Sequence, residues 1–402
     1  MSDIKKKIPV REPHKDVGYW LDVCYDVAGR VASNVDLIYS NRQIPVHLAN
    51  EIADRGLFRL LVPKSLGGTE LDYPDFLRIL KVFAEVDAST AWCVNQINVF
   101  GTDSVKMPEK IAKTIWNKNR AVVANGPPSR HTKATPVPGG YKLSGLWNFS
   151  SGSTHATWFA ALAPIEDGHQ TKVSTSTLED EPIVMLIPKR DVSFIDCWHV
   201  DGLRGTGSYS FEVENLYVPK MRTYRYSDVP REKGTLYVIP KTLMFGAGDA
   251  TIALGVARSS LKAVQDLARA ERPNRYGVLL RDDPVTHRTI GKAEAIWQSA
   301  TALLEKQVSS VWRSAQTCHA LSIDERVGLR LAITNGIRMA ADVVDVSYNL
   351  CGSSSVFTNN PVHRHFQDVH VITQHAQANV VHYDAAGQLF LGLEPNSSMG
   401  RF

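Results

Sequence analysis

The chain has 402 residues, enough for two or three packed units, and its 44% hydrophobic and 21% charged residues are typical of a globular protein. The net charge of +4 forms no arginine-rich stripe with interleaved aromatic residues, which argues against nucleic acid as a partner. No run of about 18 apolar residues could span a bilayer, and the first residues lack the apolar stretch of a signal peptide. Five cysteines at long spacings fit a reducing compartment, so we expect a cytoplasmic protein without membrane contact.

Two kinds of periodicity alternate along the chain. Phe76, Ile79, Leu80 and Phe83 recur at helical spacing within the glycine-poor residues 16–118. Between 119 and 232, short apolar runs are separated by Gly, Pro and Ser, as in a compact β domain; the runs are 121–124, 141–149, 158–162, 183–187 and 211–218. We predict an α+β protein with three domains: an N-terminal helical domain (1–118), a central β domain (119–232) and a C-terminal helical bundle (233–402).

Long amphipathic helices return after residue 242. Asp283 before Pro284 predicts a helix start, and Ser322 with Glu325 forms a capping box for a helix that ends at Gly352. The apolar stripe of the first of these helices covers about six turns: Ile290, Ala293, Trp297, Ala300, Leu304, Val308 and Val311. Such helices, about 45 Å long, suit a four-helix bundle and exceed what one subunit must cover, so we expect a homo-oligomer.

Common cofactor and metal motifs are excluded by their spacing. The chain has no Walker A sequence and no H-E-x-x-H, and Gly246-Ala-Gly248 lacks the third glycine and the βαβ context of a dinucleotide fingerprint. Without a nicotinamide site, electrons must come from the substrate or from a second protein. A set of C-terminal histidines does not share one helical face at metal distance, so we expect no metal site: His363, His365, His370, His375 and His382.

Four separated segments, in the same order, resemble the acyl-CoA dehydrogenase fold. They are LVPKSLGGTELDY (61–73), GGYKLSGLWNFSSGSTHATWF (139–159), WHVDGLRGTGSYSFEVENLYVP (198–219) and PVHRHFQDVHVITQHAQANVVHYDAAGQLFLG (361–392). The last three are similar to the flavin-dependent monooxygenase branch of that fold, the oxygenase components of two-component systems. The resemblance implies a barrel-like central β domain between two helical domains, and a homotetramer.

The resemblance also places residues 147–152 against a flavin. Ser151 falls where the dehydrogenases carry a threonine that touches flavin N5. A hydroxyl there can hold the N5 proton, which with exclusion of water preserves a C4a-hydroperoxide, although Ser150 and Ser151 could instead only tie a turn. The expected cofactor-binding residues are Trp147, Phe149, Ser150, Ser151, Thr206 and Ser208, of which the last two lie in a glycine-rich loop that lets backbone approach a ligand.

The catalytic base separates two chemistries. Many acyl-CoA dehydrogenases abstract a proton with a glutamate eight residues after the aspartate that matches Asp368, and this chain has Ala376 there. The adjacent His375 matches a histidine of the monooxygenase branch, which deprotonates a phenol or orients the hydroperoxide, so we expect His375 and Ser151 to be catalytic. Other dehydrogenases carry the base on an earlier helix, where Asp249 is the nearby carboxylate.

The expected substrate pocket contains Trp92, Asn95 and Asn98. Aromatic hydroxylases of the branch carry a second histidine about seven residues after the tryptophan that matches Trp92, and this chain has Asn98 and Val99 there. A phenol site with two histidines is therefore not expected. Separately, Arg364 and Asp368 match an R-x-x-D element that holds the C-terminal helix.

We interpret the chain as the oxygenase component of a two-component flavin-dependent monooxygenase. A separate flavin reductase supplies reduced FMN or FAD, and O2 is used through a flavin C4a-hydroperoxide to oxygenate a hydrophobic, aromatic or heterocyclic substrate. Two alternatives remain at this point: an acyl-CoA dehydrogenase that keeps its FAD, and a helical scaffold without catalysis.

Overall fold

The computed structural model describes residues 16–166, 181–270, 273 and 277–394. Helices precede and follow a block of strands, in agreement with the α+β prediction. The first helices are α1 (Val17–Ser33), α2 (Val35–Asn41), α3 (Val46–Asp54), α4 (Tyr73–Ala84), α5 (Ala88–Gly101) and α6 (Glu109–Trp116). The later helices are α7 (Lys241–Arg269), α8 (Pro284–Thr317), α9 (Ile323–Cys351), α10 (Pro361–Thr373) and α11 (Val381–Phe390). Within the described residues, no helix is long and apolar enough to cross a membrane.

Helix α5 lies at the centre of the molecule. It packs against α4, α7 and the first strand, and nearly all its residues are buried, so it has no polar face. Asp87 caps its first turn by accepting a hydrogen bond from the Thr90 backbone N–H at 2.7 Å. The amides Asn95 and Asn98 are therefore inside the protein and require internal partners.

The strands form two four-stranded sheets. They are β1 (Val123–Gly126), β2 (Lys133–Val137), β3 (Gly140–Ser150), β4 (Trp158–Ala163), β5 (Ile183–Pro188), β6 (Ser193–Ile195), β7 (Tyr209–Pro219) and β8 (Thr223–Tyr224). One sheet has the order β1-β4-β5-β8 and the other β2-β3-β7-β6. Phe159 of the first sheet packs on Phe211 of the second with ring centroids 4.6 Å apart, so the barrel-like domain is a pair of facing sheets. The sequence patterns missed β2, β6 and β8, which are short or exposed.

The C-terminal helices confirm the capping predictions. Asp283 accepts hydrogen bonds from the first turn of α8, and Ser322 with Glu325 forms the capping box of α9. Helices α7, α8, α9 and α10 pack together as the predicted bundle. One expectation was wrong: α10 ends at Thr373, so His375 follows the helix instead of lying on it. No group of three potential metal ligands occurs in the described part of the chain.

A buried ion pair joins the three blocks of structure. Lys241, the first residue of α7, pairs with Asp103, which follows α5, and the Tyr224 hydroxyl of β8 donates to Asp103 at 2.6 Å. Burial lowers the pKa of Lys241 to about 8, against the attraction of Asp103. Removing one partner of such a pair leaves an uncompensated buried charge, so this contact holds the helical and β parts in one arrangement.

Candidate active site

A β-bulge shapes the end of β3. The pairing of β3 with β7 shifts register between Trp147 and Ser150, and Phe149 adopts a left-handed backbone with φ of 53°. The bulge turns the Phe149 ring outward, where it is 64% exposed with its edge near Trp198, while Ser150 and Ser151 turn inward. An aromatic surface and two buried hydroxyls therefore come from adjacent residues.

Four side chains from three segments form a hydrogen-bonded chain. Trp92 of α5 donates its indole N–H to Ser151 Oγ at 3.1 Å, and Ser151 Oγ lies 2.8 Å from Ser208 Oγ. Ser208 Oγ lies 2.6 Å from Thr206 Oγ1, which donates to the Leu203 carbonyl at 2.8 Å. The structure thus brings together Ser151, Thr206 and Ser208, three of the residues expected to bind the cofactor, with Trp92 as the first donor.

The direction of this chain follows from its two ends. The indole N–H can only donate, and the Leu203 carbonyl can only accept. Thr206 donates its hydroxyl proton to that carbonyl, so it can only accept from Ser208. Ser208 therefore donates to Thr206, and Ser151 donates to Ser208. Ser151 Oγ, with its proton used and one lone pair taken by Trp92, keeps a lone pair for a further donor.

The loop 202–208 owes its glycines to contacts within the protein. A Cβ at Gly202 would lie 2.1 Å from the Gln367 carbonyl of α10, and a Cβ at Gly205 would lie 2.1 Å from Ile38 of α2. Close helix packing therefore already requires these two glycines, and the approach of the loop backbone to a ligand stays a prediction. The packing places Thr206 and Ser208 beside Ser151.

His375 stands on the other side of Trp92. Its ring contacts the indole edge-on at a centroid distance of 5.2 Å, and its Nδ1 lies 3.1 Å from Asp249 Oδ2. The His375 side chain is 38% exposed, whereas that of Asp249 is fully buried. The imidazole is therefore partly exposed while its Nδ1 faces a buried carboxylate.

Asp249 is held from several helices. Its Oδ1 accepts from Asn95 Nδ2 at 3.1 Å, and the same amide nitrogen donates to the Phe245 carbonyl at 3.2 Å. Burial raises the pKa of Asp249, while His375, Asn95 and the guanidinium of Arg330 on α9 act in the opposite direction. Arg330 is itself buried and donates to Gln377, next to His375. A lone carboxylate in the apolar helix segment around Asp249 was the sequence signal for this group.

Two expected ligand residues have structural roles instead. The Trp147 ring is fully buried against Phe211, and its N–H donates to the Leu162 carbonyl at 2.9 Å, because position 147 faces the core between the sheets. Asn98 donates to the Leu57 and Val94 carbonyls and accepts from Leu61 N, so its amide is saturated by backbone. Neither side chain is free to contact a ligand.

The turn after β3 fits a polar ligand such as a flavin. Three of its atoms are buried without a hydrogen-bond partner among the described residues: Ser150 Oγ, Thr154 Oγ1 and His155 Nε2. Burial lowers the pKa of His155 to about 4, so this imidazole is neutral at physiological pH. Buried polar atoms are costly without partners, and a ligand with donors and acceptors would satisfy them. His155 was not among the predicted site residues, although it belongs to the matched segment.

A wide groove of about 1570 Å³ lies elsewhere, between α1, α4, α7, α8 and α10. Neither Ser151 nor His375 lines it. The groove is therefore separate from the cluster that carries the reactive side chains.

Comparison with known proteins shows the family of the chain. The sequence matches the acyl-CoA dehydrogenase N-terminal domain at residues 26–108 and the acyl-CoA dehydrogenase C-terminal domain at residues 247–380, together more than half of the chain. The chain belongs to the acyl-CoA dehydrogenase family, in its branch of flavin-dependent monooxygenases.

The relatives come from that branch. Indole-3-acetate monooxygenase from Pseudomonas putida is 28% identical over 359 residues, which cover 87% of this chain and 88% of the relative. The crystal structure of the 3-HSA hydroxylase from Rhodococcus sp. RHA1 superposes with a TM-score of 0.86 at 22% identity, covering 96% of this chain and 100% of the other. XiaF from Streptomyces sp., in complex with FADH2 and glycerol, superposes with a TM-score of 0.85 at 23% identity, covering 94% of this chain and 96% of the other.

Proposed function

We propose that the protein is an oxygenase component that takes reduced flavin from a separate reductase and transfers one oxygen atom of O2 to an aromatic or heterocyclic substrate. Bound reduced flavin would supply the electrons that activate O2. The pair of Phe149 and Trp198 offers it an aromatic surface, and Ser150, Thr154 and His155 offer it polar contacts. Ser151 and His375 are the proposed catalytic residues.

The observation that carries this proposal is the direction of the hydroxyl chain. Ser151 presents a lone pair, and a lone pair accepts a hydrogen bond from an N–H group. Reduced flavin has an N–H at N5, whereas oxidised flavin has an acceptor there. The site therefore favours reduced flavin, by about one hydrogen bond, or about 1 kcal/mol.

His375 and Ser151 divide the work between substrate and flavin. The imidazole accepts a proton from a substrate O–H or N–H, or orients the substrate through that contact. Ser151 holds the N5 proton in place, and the largely buried Trp92 between them excludes water from the space they share.

The geometry disfavours acyl-CoA dehydrogenation. That reaction needs a carboxylate that reaches the substrate, and the nearby candidate, Asp249, has no exposed surface. Its Oδ1 is bonded to Asn95, and its Oδ2 faces His375. The carboxylate can act on a ligand only through the histidine.

The substrate class follows from the relatives and the pocket. The relatives are named for indole-3-acetate, 3-HSA and p-hydroxyphenylacetate, among others. Trp92 and His375 give this chain two ring surfaces at the site, which suit a flat, ring-containing substrate. Either FMN or FAD is compatible with the contacts of residues 149–155.

Assembly and location complete the proposal. Exposed apolar side chains gather at the C-terminal end of the described chain, where Phe390, Leu391 and Leu393 are 72%, 78% and 56% exposed. We propose that these side chains and the bundle helices contact other copies of the chain in a homotetramer. We also propose that each chain is divided into the domains 1–118, 119–232 and 233–402. None of the five cysteines, all of which lie in the described residues, forms a disulfide, which suits a cytoplasmic enzyme.

The test is flavin binding in two redox states. Under anaerobic conditions, the protein should bind reduced FMN or FAD about fivefold more tightly than the oxidised form, as measured by fluorescence or calorimetry. In Ser208→Ala, Ser151 no longer donates to Ser208, so the Ser151 proton becomes available to N5 of oxidised flavin. The ratio of the affinities for reduced and oxidised flavin should therefore fall.

The matched control is Ser153→Ala. Ser153 is equally buried in the same turn and donates to the Gly207 carbonyl at 2.8 Å, outside the chain of hydroxyls. Ser153→Ala should leave the ratio of the affinities for reduced and oxidised flavin unchanged. Tight retention of oxidised FAD that an acyl-CoA reduces would overturn the proposal and favour the dehydrogenase.

A further inference from the structure

We propose that Asp249 is the positioning residue of His375: its carboxylate holds the imidazole as the Nδ1–H tautomer and leaves Nε2 as the basic atom that faces substrate. This inference rests on the proposed function for the role of His375, but the tautomer itself can be measured without flavin. Asp249 does not touch substrate and acts only through the histidine.

The distances assign the proton. Nδ1 of His375 has two neighbours, Asp249 Oδ2 at 3.1 Å and the Gln377 backbone N–H at 3.5 Å. A contact of 3.5 Å is at the limit of a hydrogen bond, whereas the carboxylate oxygen is close and fully buried. Asp249 Oδ2 is buried without a hydrogen-bond partner among the described residues, and His375 Nδ1 lies 3.1 Å from it, so a proton on Nδ1 would give each group a partner.

The surrounding charged and polar groups support an ionised Asp249. Asn95 on α5 donates to its Oδ1, and Arg330 on α9 lowers its pKa. After burial, the charge of Asp249 also contributes to raising the pKa of Tyr73 on α4. The Tyr73 hydroxyl is committed to the Met244 carbonyl. His375 is thus the group that faces the second carboxylate oxygen.

Asparagine at position 249 would reverse the tautomer. The orientation of the Asn95 amide is determined, because both of its partners, Asp249 Oδ1 and the Phe245 carbonyl, are acceptors and require its NH2 group. In Asp249→Asn, the new amide must therefore present its carbonyl to Asn95 and its NH2 to His375. Nδ1 becomes an acceptor, the proton moves to Nε2, and the basic atom towards substrate is lost.

The first measurement is NMR of the full-length protein with 15N-labelled histidine, in which His375→Gln identifies the resonances of His375. The wild type should show a protonated Nδ1 and a bare Nε2, and Asp249→Asn should show the opposite. Product formation from indole-3-acetate, used as the probe, should fall at least a hundredfold in Asp249→Asn, while the affinity for reduced FMN stays within about twofold.

The control and the stability readout exclude a merely structural role. Asp345 pairs with His370 Nε2 at 2.8 Å on the surface, so Asp345→Asn changes an aspartate–histidine pair outside the site and should leave product formation intact. Burial raises the pKa of Asp249, so its charge is unfavourable in the fold, and Asp249→Asn should melt no lower than the wild type.

An unchanged His375 tautomer in Asp249→Asn would overturn the inference, and so would a bare Nδ1 in the wild type. A correct tautomer switch without oxygenation of any ring substrate would leave Asp249 as the positioning residue and overturn the proposed function instead. The two failures are therefore distinguishable.

Discussion

Ser151 shows how one hydroxyl acquires a direction. It receives the indole N–H of Trp92 and gives its own proton to Ser208, and this order is imposed by the Leu203 carbonyl at the far end of the chain. A serine in an ordinary turn could donate or accept, whereas this one is left with a lone pair. The chemistry of the residue is therefore set by the hydrogen-bonded chain in which it lies.

Replacing Ser151 tests that role at the same scale. Ser151→Ala removes the acceptor for N5–H and leaves the Trp92 N–H unpaired, so reduced flavin should react with O2 to give more H2O2 and less oxygenated product. We expect the fraction of H2O2 released per flavin oxidised to rise severalfold, measured with reduced FMN and a peroxidase assay. Ser151→Thr restores the hydroxyl and should recover most of the coupling; equal coupling in all three proteins would contradict the assignment.

Close packing of α5 on α7 builds the other half of the site. Gly248 has no side chain, and a Cβ there would lie 2.1 Å from Asn95 Oδ1. The glycine therefore lets α5 approach until Asn95 can bond to Asp249. Gly246-Ala-Gly248, which resembles part of a dinucleotide motif, is a helix-packing element in this fold.

Gly248→Ala should separate activity from stability. The added methyl overpacks the contact, which costs about 1–3 kcal/mol, and it displaces the Asn95 amide from Asp249. We expect a lower Tm and a loss of product formation larger than the loss of folded protein. Gly255→Ala is the matched control, because Gly255 lies on the same helix as Gly248 but away from Asn95, and its Cβ would lie 2.5 Å from Ala84. This variant should lower Tm with little change in activity per folded molecule.

At the scale of the whole molecule, Asp368 joins the C-terminal bundle to the site loop. It lies on α10, is 4% exposed, and accepts from the Leu203 N–H at 2.6 Å. Burial and the nearby Asp87 raise the pKa of Asp368 to about 7, while Leu203 N–H and Arg364 act to lower it. The arrangement keeps the loop that carries Thr206 and Ser208 in place.

This contact predicts a dependence of stability on pH. Because the folded-state pKa of Asp368 lies above the ordinary value of 3.8, the protonated form stabilises the fold. That stabilisation is full below about pH 4 and is lost as pH rises to about 7, at about 1.4 kcal/mol per pH unit at most. Asp368→Asn keeps an acceptor for Leu203, so its Tm at pH 7.5 should exceed that of the wild type.

The control for Asp368 is the difference in Tm between pH 5 and pH 7.5. Other groups also titrate in this range, so only the change in that difference between the two proteins reports on Asp368. A fall in Tm of the same size in both proteins would show that Asp368 is ionised throughout.

The sequence by itself determined the local structure. Caps at Asp283 and Ser322, the apolar stripe of α8 and the alternating strands follow from residues within a few positions of each other, so periodicity and capping rules reach them. The matched segments also pointed to Ser151, Thr206, Ser208 and His375, whose joint location the structure then displayed.

Only the tertiary structure decided which side chains meet. Asp249 and His375, or Trp92 and Ser151, lie far apart in the chain, and their contacts depend on how closely α5, α7 and the end of α10 pack. Burial of Trp147 depends on the facing sheet, and saturation of Asn98 depends on backbone groups from another segment. Such contacts arise from packing and hydrogen-bond satisfaction across the whole molecule, which no local pattern encodes.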